Sequence, residues 1–590
     1  MKKITLAALF GLMLWGCGQN TKNASSMAKA DIKGICENYY QDRLKLFPIQ
    51  ATQAGDMRYN HLYPIDISEN YRDTLRTFFT KYKQQLESIS PNQIDINDKA
   101  SYDILKWECD IALEGLSLPM HLLPLNQFDA AHLALPQMGS GAGAQPFKTV
   151  KDYDDWLARA SRFTIWADAA IVNMREGVAK GIVLPKKLAA KMSPQLKEVI
   201  SPVEKSIFWS PIKNMPKDFA EADKKRLTEA YKKLITESIN PTYQRLYDFV
   251  EKEYLPNCRE TSGIGAIPKG PEIYKFLAKQ WTTTTLSPDE IFETGQREVA
   301  RIRGEMEKVK EQVGFKGDLK AFFAHVNTLP ALHPYTKDQQ AIDAFNQIHE
   351  RMKPQLVKLF DLVPKTGFEV RQTEAFREAS ASAEYMQGSP DGTRPGIFYC
   401  PVLKPQDYNV FQDEALFLHE AIPGHHYQCS LQQENTDLPQ FRRFLWYGAY
   451  GEGWALYTES LGKELGLYTD PYQYFGRLGM EMHRSIRLVV DVGMHYKGWT
   501  REQAIAYSLE NEAETEENTS AEVERYMAIP GQALSYKIGQ LKIGELRKKA
   551  ETELGAKFDI RKFHNEVLVY GCLPLATLET TIHDWIKKNK

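Results

Sequence analysis

The chain has 590 residues, which is too long for one compact core and predicts two or more lobes. Apolar residues make up 43% of the chain, and its 74 Lys and Arg nearly balance its 76 Asp and Glu. This composition is ordinary for a soluble globular protein. The net charge is small, so the protein is not expected to attract nucleic acid or an anionic membrane surface by its charge.

The N-terminus predicts export. The apolar run 4–16 follows two lysines and is too short to span a bilayer as a permanent helix. Leu14-Trp15-Gly16-Cys17 resembles a bacterial lipobox, although Trp at its second position is unusual. We therefore predict a lipoprotein signal peptide at 1–17, a polar tether at 18–29, and a lipid on Cys17 that anchors the protein to a bacterial membrane on its periplasmic or cell-surface side. A plain signal peptide with an incidental cysteine is the alternative.

Beyond the tether, most of the sequence has the 3.6-residue apolar period of α-helices. The clearest segments are 30–46, 71–89, 153–179, 224–253, 288–313 and 341–362. Ser287, which is followed by Pro288 and Glu290, is typical of a capped helix start. Pro and Gly between 256 and 270 mark a break that divides the chain into an N-terminal helical region, 30–260, and a C-terminal region, 261–590.

One segment, 396–403, predicts a β-strand. It follows the turn signal Ser389-Pro390-Asp391-Gly392. Pro401 cannot donate a hydrogen bond to a neighbouring strand, so we expect an edge strand. Tyr399 in this strand is a candidate substrate-binding residue, because an extended peptide can pair with such an edge.

The cysteines beyond Cys17 do not predict a metal site. They are scattered and form no CxxC pair, so a cysteine-rich zinc site is not expected. Disulfides and buried free thiols both remain open. The residues are Cys36, Cys109, Cys258, Cys400, Cys429 and Cys572.

The segment 418–426, with the sequence Leu-His-Glu-Ala-Ile-Pro-Gly-His-His, carries the main chemical signal. In the HExxH motif of a zincin, two histidine ligands lie four residues apart on one helix face. Here Pro423 stands four residues after His419, and on an unbroken helix His426 would lie ~10.5 Å further along the axis. Two imidazoles with Zn–N bonds of ~2.1 Å cannot share an ion across that distance. The helix must therefore be distorted.

Pro423 and Gly424 can supply the distortion. Proline removes a backbone donor, and glycine adopts dihedral angles that other residues avoid. A two-residue expansion there would let His425 become the second ligand. His426 is the competitor for that role, and otherwise a neighbour that supports the ligands. Glu420 is then the candidate catalytic base, because a carboxylate beside the metal can accept a proton from activated water. A surface helix end with a fortuitous histidine cluster is the alternative.

A second segment, Gly451-Glu452-Gly453-Trp454-Ala455-Leu456-Tyr457-Thr458-Glu459, supplies carboxylates. Open catalytic zinc sites commonly use two His and one Glu and leave one position for water. We therefore predict one Zn²⁺ ion held by His419, His425 and Glu452, since two imidazoles and a carboxylate favour that metal. Glu459 lies two turns after Glu452 on the same face and would orient a ligand imidazole. An ordinary exposed helix acid is the alternative for Glu459.

Together, His419-Glu420…Pro423-Gly424-His425 and Glu452-Gly453-Trp454-Ala455-Leu456-Tyr457 resemble a large family of bacterial zincin-like proteins, many of them lipoproteins. The second segment also looks like the NEGFxxYxE stretch of aminopeptidase-N-type enzymes, in which the Glu is the third zinc ligand. Segments 391–399, 487–495 and 524–537 are similar to further signatures of the bacterial family.

The resemblance implies the fold and the activity. It implies a mostly α, large, two-lobed zincin-like fold of the oligopeptidase type, with a small β-element beside the active site. Residues 261–590 would then be the catalytic zincin-like region. The resemblance also implies peptide hydrolysis.

Later segments offer residues that could support the site. Arg487, Asp491 and His495 are spaced four apart among apolar neighbours, so they share one helix face. A buried row of this kind costs desolvation and suggests a role in the site: substrate binding for Arg487, ligand support for Asp491 and catalysis for His495. An exposed row of intrahelical ion pairs is the alternative.

Catalysis would also need a donor for the developing oxyanion. Tyr536 and Tyr526 are candidates, with His495 behind them, because a phenol can donate a hydrogen bond without carrying charge. Arg525 or Lys537 could hold a peptide carboxylate. For each tyrosine, a partly buried ring with its hydroxyl at the surface is the alternative.

We therefore predict that a peptide enters a groove between helical lobes and is hydrolysed by activated water with Glu420 as the base. One rival is a zinc hydrolase of a non-peptide amide or ester. Another is a non-catalytic, lipid-tethered metal-binding protein. The free Glu420 argues against the second rival, because structural zinc sites are usually closed by four protein ligands.

Overall fold

The computed structural model of the chain describes residues 31–95, 98–374, 378, 382–389 and 392–590. The predicted signal peptide at 1–17, its Cys17 and the tether at 18–29 lie outside these residues. So do Pro390 and Asp391 of the predicted turn.

The fold is mostly helical. The first helices in chain order are α1 Ile32–Leu46, α2 Pro48–Gln53, α3 Glu69–Glu87, α4 Lys99–Leu116, α5 Ala131–Gly139, α6 Val150–Ser161, α7 Phe163–Lys180, α8 Lys186–Val199, α9 Ser210–Lys213, α10 Glu221–Lys233 and α11 Asn240–Phe249. They are followed by α12 Gly270–Thr282, α13 Pro288–Gln312, α14 Leu319–Thr328 and α15 Asp338–Leu359. After a small sheet come α16 Asp413–Glu420, α17 His425–Glu434, α18 Gln440–Arg443, α19 Gly448–Glu459, α20 Pro471–His495, α21 Arg501–Asn511, α22 Glu516–Ala528, α23 Ser535–Leu554, α24 Ile560–Leu568 and α25 Leu575–Asn589.

The predicted helices are confirmed with shifted boundaries. The segment 153–179 is divided between α6 and α7, and the segment 224–253 contains two π-helical stretches, Leu234–Ile239 and Val250–Tyr254. The first π-helical stretch ends just before Pro241, which lacks the backbone donor that a regular α-turn requires at that point. The predicted start at Ser287 is also confirmed, because Ser287 and Glu290 form a reciprocal capping box at the first turn of α13.

The three strands form one small sheet in the order β1-β3-β2, where β1 is Phe368–Gln372, β2 is Glu384–Met386 and β3 is Gly396–Cys400. β3 pairs in parallel with β1 and antiparallel with β2. The prediction that 396–403 is an edge strand is therefore wrong. The reason is that β3 ends one residue before Pro401, so the missing donor interrupts no pairing. The outer strands of the described sheet are β1 and β2.

One buried core joins the first helices to the helices that follow the sheet. It contains apolar residues of α1, α3 and α4 together with residues of α15 to α19 and α23 to α25. The rings of Tyr39 and Phe441 meet at 5.8 Å, and the guanidinium of Arg442 donates to the hydroxyl of Ser101 over 3.0 Å. A second cluster lies within residues 63–254, and a third joins α13 and α14 to α20 and α22. The division at 260 stays a prediction, but the first helices pack with the C-terminal region.

α19 and α23 approach each other backbone to backbone. A Cβ atom on Gly453 would lie 2.5 Å from the Cα of Gly539, and one on Gly539 would lie 1.8 Å from the carbonyl oxygen of Ala449. Only glycine fits at both positions, because real Cβ contacts are never so short. The close approach brings the first turn of α23, which carries Tyr536, to the same cavity as Glu452 at the start of α19.

The structure also shows the state of the cysteines and the character of the helices. Within the described part of the chain every cysteine is a free thiol: Cys36, Cys109, Cys258, Cys400, Cys429 and Cys572. Among the described helices, none combines the length and apolar content that crossing a membrane requires.

Candidate metal centre

The helix that carries His419 breaks where the sequence predicts. α16 ends at Glu420 and α17 begins at His425, so the intervening residues, including Pro423, form a turn rather than a continuous helix. A Cβ atom on Gly424 would lie 1.9 Å from the carbonyl oxygen of His419. Glycine is therefore required at 424, because the chain folds back onto the end of α16 there. The fold-back replaces the rise of a regular helix and brings the two histidines together.

Three side chains converge across this turn. The Nε2 atoms of His419 and His425 each lie 3.5 Å from Oε2 of Glu452. One ligand atom from each of the three residues can be chosen so that all lie within 4.8 Å of one another. The two imidazole rings are perpendicular, at an interplanar angle of 89°. The predicted grouping of His419, His425 and Glu452 is therefore present.

The donor set fits a zinc ion. Two ligands that are each ~2.1 Å from one ion at a tetrahedral angle lie about 3.4 Å apart, close to the spacing of both imidazoles from Glu452. The Nδ1 atom of His419 lies 2.8 Å from Oε1 of Glu459. When the Nδ1–H of His419 donates a hydrogen bond to that carboxylate, the lone pair of Nε2 faces the shared space. Two imidazoles and one carboxylate form an open set that leaves room for a further ligand.

α19 fixes the positions of the C-terminal end of α16 and of the turn that follows it. Besides Glu452 and Glu459, it contributes Trp454, whose indole donates to the carbonyl oxygen of Pro423 over 2.9 Å. Thr458 donates its hydroxyl to the carbonyl oxygen of Leu418 over 2.8 Å. One helix therefore supplies a metal-ligand candidate, a partner for the first imidazole and two hydrogen bonds to the α16 end and the turn.

The electrostatics of this group favour a cation. Burial alone would lower the pKa of His419, but its interactions with Glu452 and Glu459 raise that pKa to about 9. Burial would raise the pKa of Glu452, yet the two imidazoles hold it well below its ordinary range. The carboxylates that raise the proton affinity of His419 create a negative potential, and the same potential suits a metal ion that takes the place of the proton.

Glu420 lies beside this group without being one of its three members. It lines a cavity of about 690 Å³ together with His419, His425 and Glu452. Burial raises the pKa of Glu420, while the neighbouring imidazoles oppose that shift. A carboxylate with its proton affinity raised, at the wall of a cavity and next to a candidate metal group, matches the requirements of a general base.

The two predicted tyrosines occupy different environments. Tyr536 lines the cavity, and burial raises the pKa of its phenol. Tyr526 is 2% exposed, and its hydroxyl donates to Glu522 over 2.8 Å and accepts from Nε of Arg487 over 3.0 Å. Tyr536 therefore remains the candidate donor to an oxyanion. Tyr526 instead positions the side chains around it.

The predicted row Arg487, Asp491 and His495 is buried, but it does not act as one unit. Asp491 accepts from the hydroxyl of Tyr274 over 2.6 Å and from the backbone N–H of Gly531, just before α23. Burial raises its pKa to about 7. Asp491 is thus placed to hold the loop that leads to Tyr536.

His495 is a structural histidine. Its Nδ1 accepts from the backbone N–H of Ile264, and its Nε2 donates to the carbonyl oxygen of Tyr526, each over 3.0 Å. It is fully buried, and burial lowers its pKa to about 3. The prediction of a catalytic role is not supported, because both ring nitrogens are engaged with backbone away from the cavity.

The three basic side chains that the sequence predicts to bind substrate lie in different environments. Arg487 and Arg525 line the cavity, as predicted for substrate-binding residues. Lys537 does not: it is fully buried, and its ammonium lies 2.6 Å from Glu481 and 2.9 Å from Glu298. The prediction that Lys537 binds substrate is therefore wrong, since its charge already stabilises two carboxylates on neighbouring helices.

Two candidates near the sheet lie outside the metal group. Nδ1 of His426 lies 3.0 Å from the hydroxyl of Tyr385, and the His426 ring packs 5.0 Å from that of Phe368. Burial lowers the pKa of His426 to about 4. Tyr399 is buried in the central strand β3 and does not line the cavity, so its predicted role in binding substrate is not supported. Tyr385 of β2 lines the cavity in its place.

Sequence reasoning missed several residues of this site. Arg484 and Trp446 line the cavity, and Trp446 is 45% exposed beside the ring of His425 at 5.8 Å. The spacing of three residues between Arg484 and Arg487 on α20 was a usable signal, because residues at i and i+3 share a helix face. No local pattern marked Trp446, which precedes α19 in a short connection.

Glu459 offers a test of the orienting role. We expect Glu459→Gln to weaken zinc affinity by about 10- to 100-fold, because the neutral amide no longer increases the basicity of the His419 imidazole. A competition titration with a chromogenic chelator measures the change. Glu464→Gln, an exposed acid that follows α19, is the matched control. Unchanged affinity in Glu459→Gln would show that the carboxylate does not support the ligand.

A family of bacterial proteins and two solved structures resemble this chain over most of its length. The model of a family described as bacterial proteins of unknown function, DUF885, matches residues 48–582. A candidate lipoprotein from Colwellia psychrerythraea has a similar crystal structure, with a TM-score of 0.86 and 29% identity over 94% of this chain and 99% of that one. A candidate lipoprotein of unknown function from Shewanella oneidensis has a TM-score of 0.74 and 19% identity over 94% of this chain and 100% of that one, which concerns the fold alone. Among curated proteins, none matches significantly.

Proposed function

The chain belongs to the DUF885 family of bacterial proteins of unknown function, and we propose that it is a zinc-dependent hydrolase that cleaves peptides. The observation that carries the proposal is the convergence of His419, His425 and Glu452, with Glu420 left free beside them at the wall of one cavity. A purely structural zinc site is usually closed by four protein ligands. Three ligands next to a free carboxylate are typical of a catalytic site.

His419, His425 and Glu452 would hold the ion. When bound, zinc supplies Lewis-acid chemistry that polarises a carbonyl group and makes water easier to deprotonate. Glu420 accepts the proton from the attacking water and later passes it to the leaving amine. Its burial, which raises its proton affinity, suits both transfers.

Tyr536 and β2 would handle the substrate. The phenol of Tyr536 can donate a hydrogen bond to the oxyanion that develops on the attacked carbonyl. β2 is the outer strand of the described sheet, and an outer strand is where an extended peptide chain can be added. Glu384 and Tyr385 of β2 line the same cavity as the metal group. An edge strand beside the site favours a peptide over a compact amide or ester.

The zincin-like, two-lobed character of the fold and the anchoring of the protein are part of the same proposal. The break between α16 and α17 would be a variant of the zincin metal helix, with the third ligand on α19. A structural neighbour that is described as a candidate lipoprotein supports attachment through a lipid on Cys17. A peptidase anchored in this way would act on peptides outside the cytoplasm.

A substrate panel tests the function. We expect the purified protein to contain about one zinc per chain and to hydrolyse unstructured peptides, to lose activity with 1,10-phenanthroline, and to regain it when Zn²⁺ is restored. Elemental analysis measures the zinc content, and peptide mass spectrometry measures the hydrolysis. Turnover of simple amides or esters without peptides would favour the rival hydrolase. Stoichiometric zinc with no turnover of any substrate would favour a non-catalytic metal-binding protein.

A further inference from the structure

One wall of the metal cavity carries three arginines. Arg484, Arg487 and Arg525 all line it, and Tyr536 and the acid Glu522 lie beside them. The guanidinium carbon of Arg487 lies 4.8 Å from the centre of the Tyr536 ring, and that of Arg484 lies 5.9 Å from it. Since Tyr536 is the proposed oxyanion donor, this arginine wall (Arg484, Arg487 and Arg525) stands next to the reacting centre.

The wall carries more positive than negative charge. Glu522 lies 3.1 Å from Arg487 and 2.8 Å from Arg525, so one carboxylate is shared between two guanidinium groups. Arg484 has no carboxylate within ion-pair distance in the described part of the chain. The other acids that line the cavity are the metal-ligand candidate Glu452, the base Glu420, and Glu384 of β2. Among the described residues, Glu522 is the one carboxylate in ion-pair contact with these arginines. Burial raises the pKa of Glu420, and the charge of Arg484 lies close enough to oppose that rise.

Arg487 points to a missing acceptor. It is only 6% exposed, and its Nε and Nη2 atoms have partners in Tyr526, His483 and Glu522. Its Nη1 atom is buried and makes no hydrogen bond to any residue that the structure describes. A buried guanidinium N–H without an acceptor is unfavourable, so an external acceptor at this point would stabilise the site. Arg484 Nε is likewise buried without an acceptor among those residues.

We infer that the arginine wall binds a carboxylate of the substrate, so that the enzyme prefers peptides with an acidic group close to the scissile bond. Guanidinium groups recognise carboxylates through paired hydrogen bonds, and three of them beside the metal centre can fix one end of a short peptide. The carboxylate is supplied either by the C-terminus of the peptide or by an acidic side chain. This inference rests on the proposed peptidase function and names its substrate class.

Three matched peptides separate the sources of the carboxylate. One has neutral side chains and a free C-terminus, the second has the same sequence with a C-terminal amide, and the third is that amide with one internal Glu. We expect the free acid to exceed the neutral amide in kcat/KM by about 10- to 100-fold, because hydrogen bonds between charged groups are worth that much. Rescue by the internal Glu would identify a side-chain specificity instead. Equal kcat/KM for all three peptides would overturn the inference and leave the peptidase proposal intact.

Substitutions link the preference to the wall. Arg484→Gln and Arg487→Lys should reduce kcat/KM for the acidic peptide by a larger factor than kcat/KM for the neutral amide. The mild Arg487→Lys keeps a cation in its buried network, and thermal unfolding checks that both variants fold. Arg297→Gln, an exposed arginine of α13 outside the cavity, should change neither peptide. Equal losses for both peptides would mean that the arginines do not recognise the carboxylate.

A binding measurement separates this inference from the proposed function. Calorimetry with acetyl-trialanine and its amide uses zinc-loaded Glu420→Gln protein, in which turnover is expected to be blocked. Tighter binding of the acid, lost in the double variant with Arg484→Gln, supports the wall even if the wild-type protein hydrolyses nothing. In that case only the proposed hydrolase function fails. Equal binding of the acid and the amide, or no binding of either, would overturn the arginine inference.

Discussion

Replacing Glu420 with glutamine is expected to leave zinc bound and to reduce peptide hydrolysis by about 10²- to 10⁴-fold, the contribution of a positioned general base. Glu420 lies at the cavity wall but is not one of the three grouped ligands, so its loss removes no metal donor. Glutamine has nearly the same shape but cannot accept a proton at neutral pH. The substitution therefore tests the proton transfer alone.

Elemental analysis and kcat/KM on the same preparation measure the two halves of this prediction. The fall should appear in kcat more than in KM, because the base acts in the transition state rather than in binding. Glu350→Gln, an exposed acid of α15, is the matched control and should have normal activity and zinc content. If Glu420→Gln cleaved peptides at the wild-type rate, Glu420 would not be the base.

The sequence was informative where local geometry fixes the outcome. His419, Glu420 and the break at Pro423 lie within one helical turn of each other, so chain stereochemistry predicts how they are arranged. Glu459 follows Glu452 by two turns, and a helix brings such residues to one face. The structure places Glu459 against the imidazole of His419, as this spacing predicts.

Predictions failed where distant segments decide the environment. Lys537 and Tyr536 are neighbours in sequence, yet Tyr536 faces the cavity while Lys537 faces Glu298 and Glu481. The sequence pattern includes both residues, but it does not predict which face of α23 is directed towards the cavity. That choice follows from the glycine contact between α19 and α23, which depends on residues far apart in the chain.

The prediction of the edge strand was wrong for a different reason. β2 has three residues and the pairing of β3 with both neighbours could not be inferred from such a short segment. Two-residue periodicity is reliable only over four residues or more. Pro401 follows the last residue of β3, so it does not mark the edge of the sheet, and the outer strand of the described sheet beside the cavity is β2.

The adjacent histidines offer the sharpest test of the metal group. We expect His425→Ala to abolish stoichiometric zinc and hydrolysis, and His426→Ala to keep both. The two residues follow each other in sequence, but Nε2 of His425 faces Glu452 at 3.5 Å, whereas Nδ1 of His426 faces the hydroxyl of Tyr385 at 3.0 Å. Loss of a direct ligand should weaken zinc affinity by more than the roughly 100-fold upper end found for outer partners.

Zinc content, chelator competition and thermal unfolding distinguish a lost ligand from a damaged fold. His426→Ala removes a buried ring that packs on Phe368, so we expect it to lower the free energy of unfolding by about 1–3 kcal/mol without changing zinc affinity. His425→Ala should have the opposite pattern, with its largest effect on metal binding. Zinc loss in His426→Ala with full zinc in His425→Ala would reverse the ligand assignment, because the metal would then lie on the sheet side of α17. Glu452, which faces His425, could not reach an ion there, so that result would also remove the observation on which the hydrolase proposal depends.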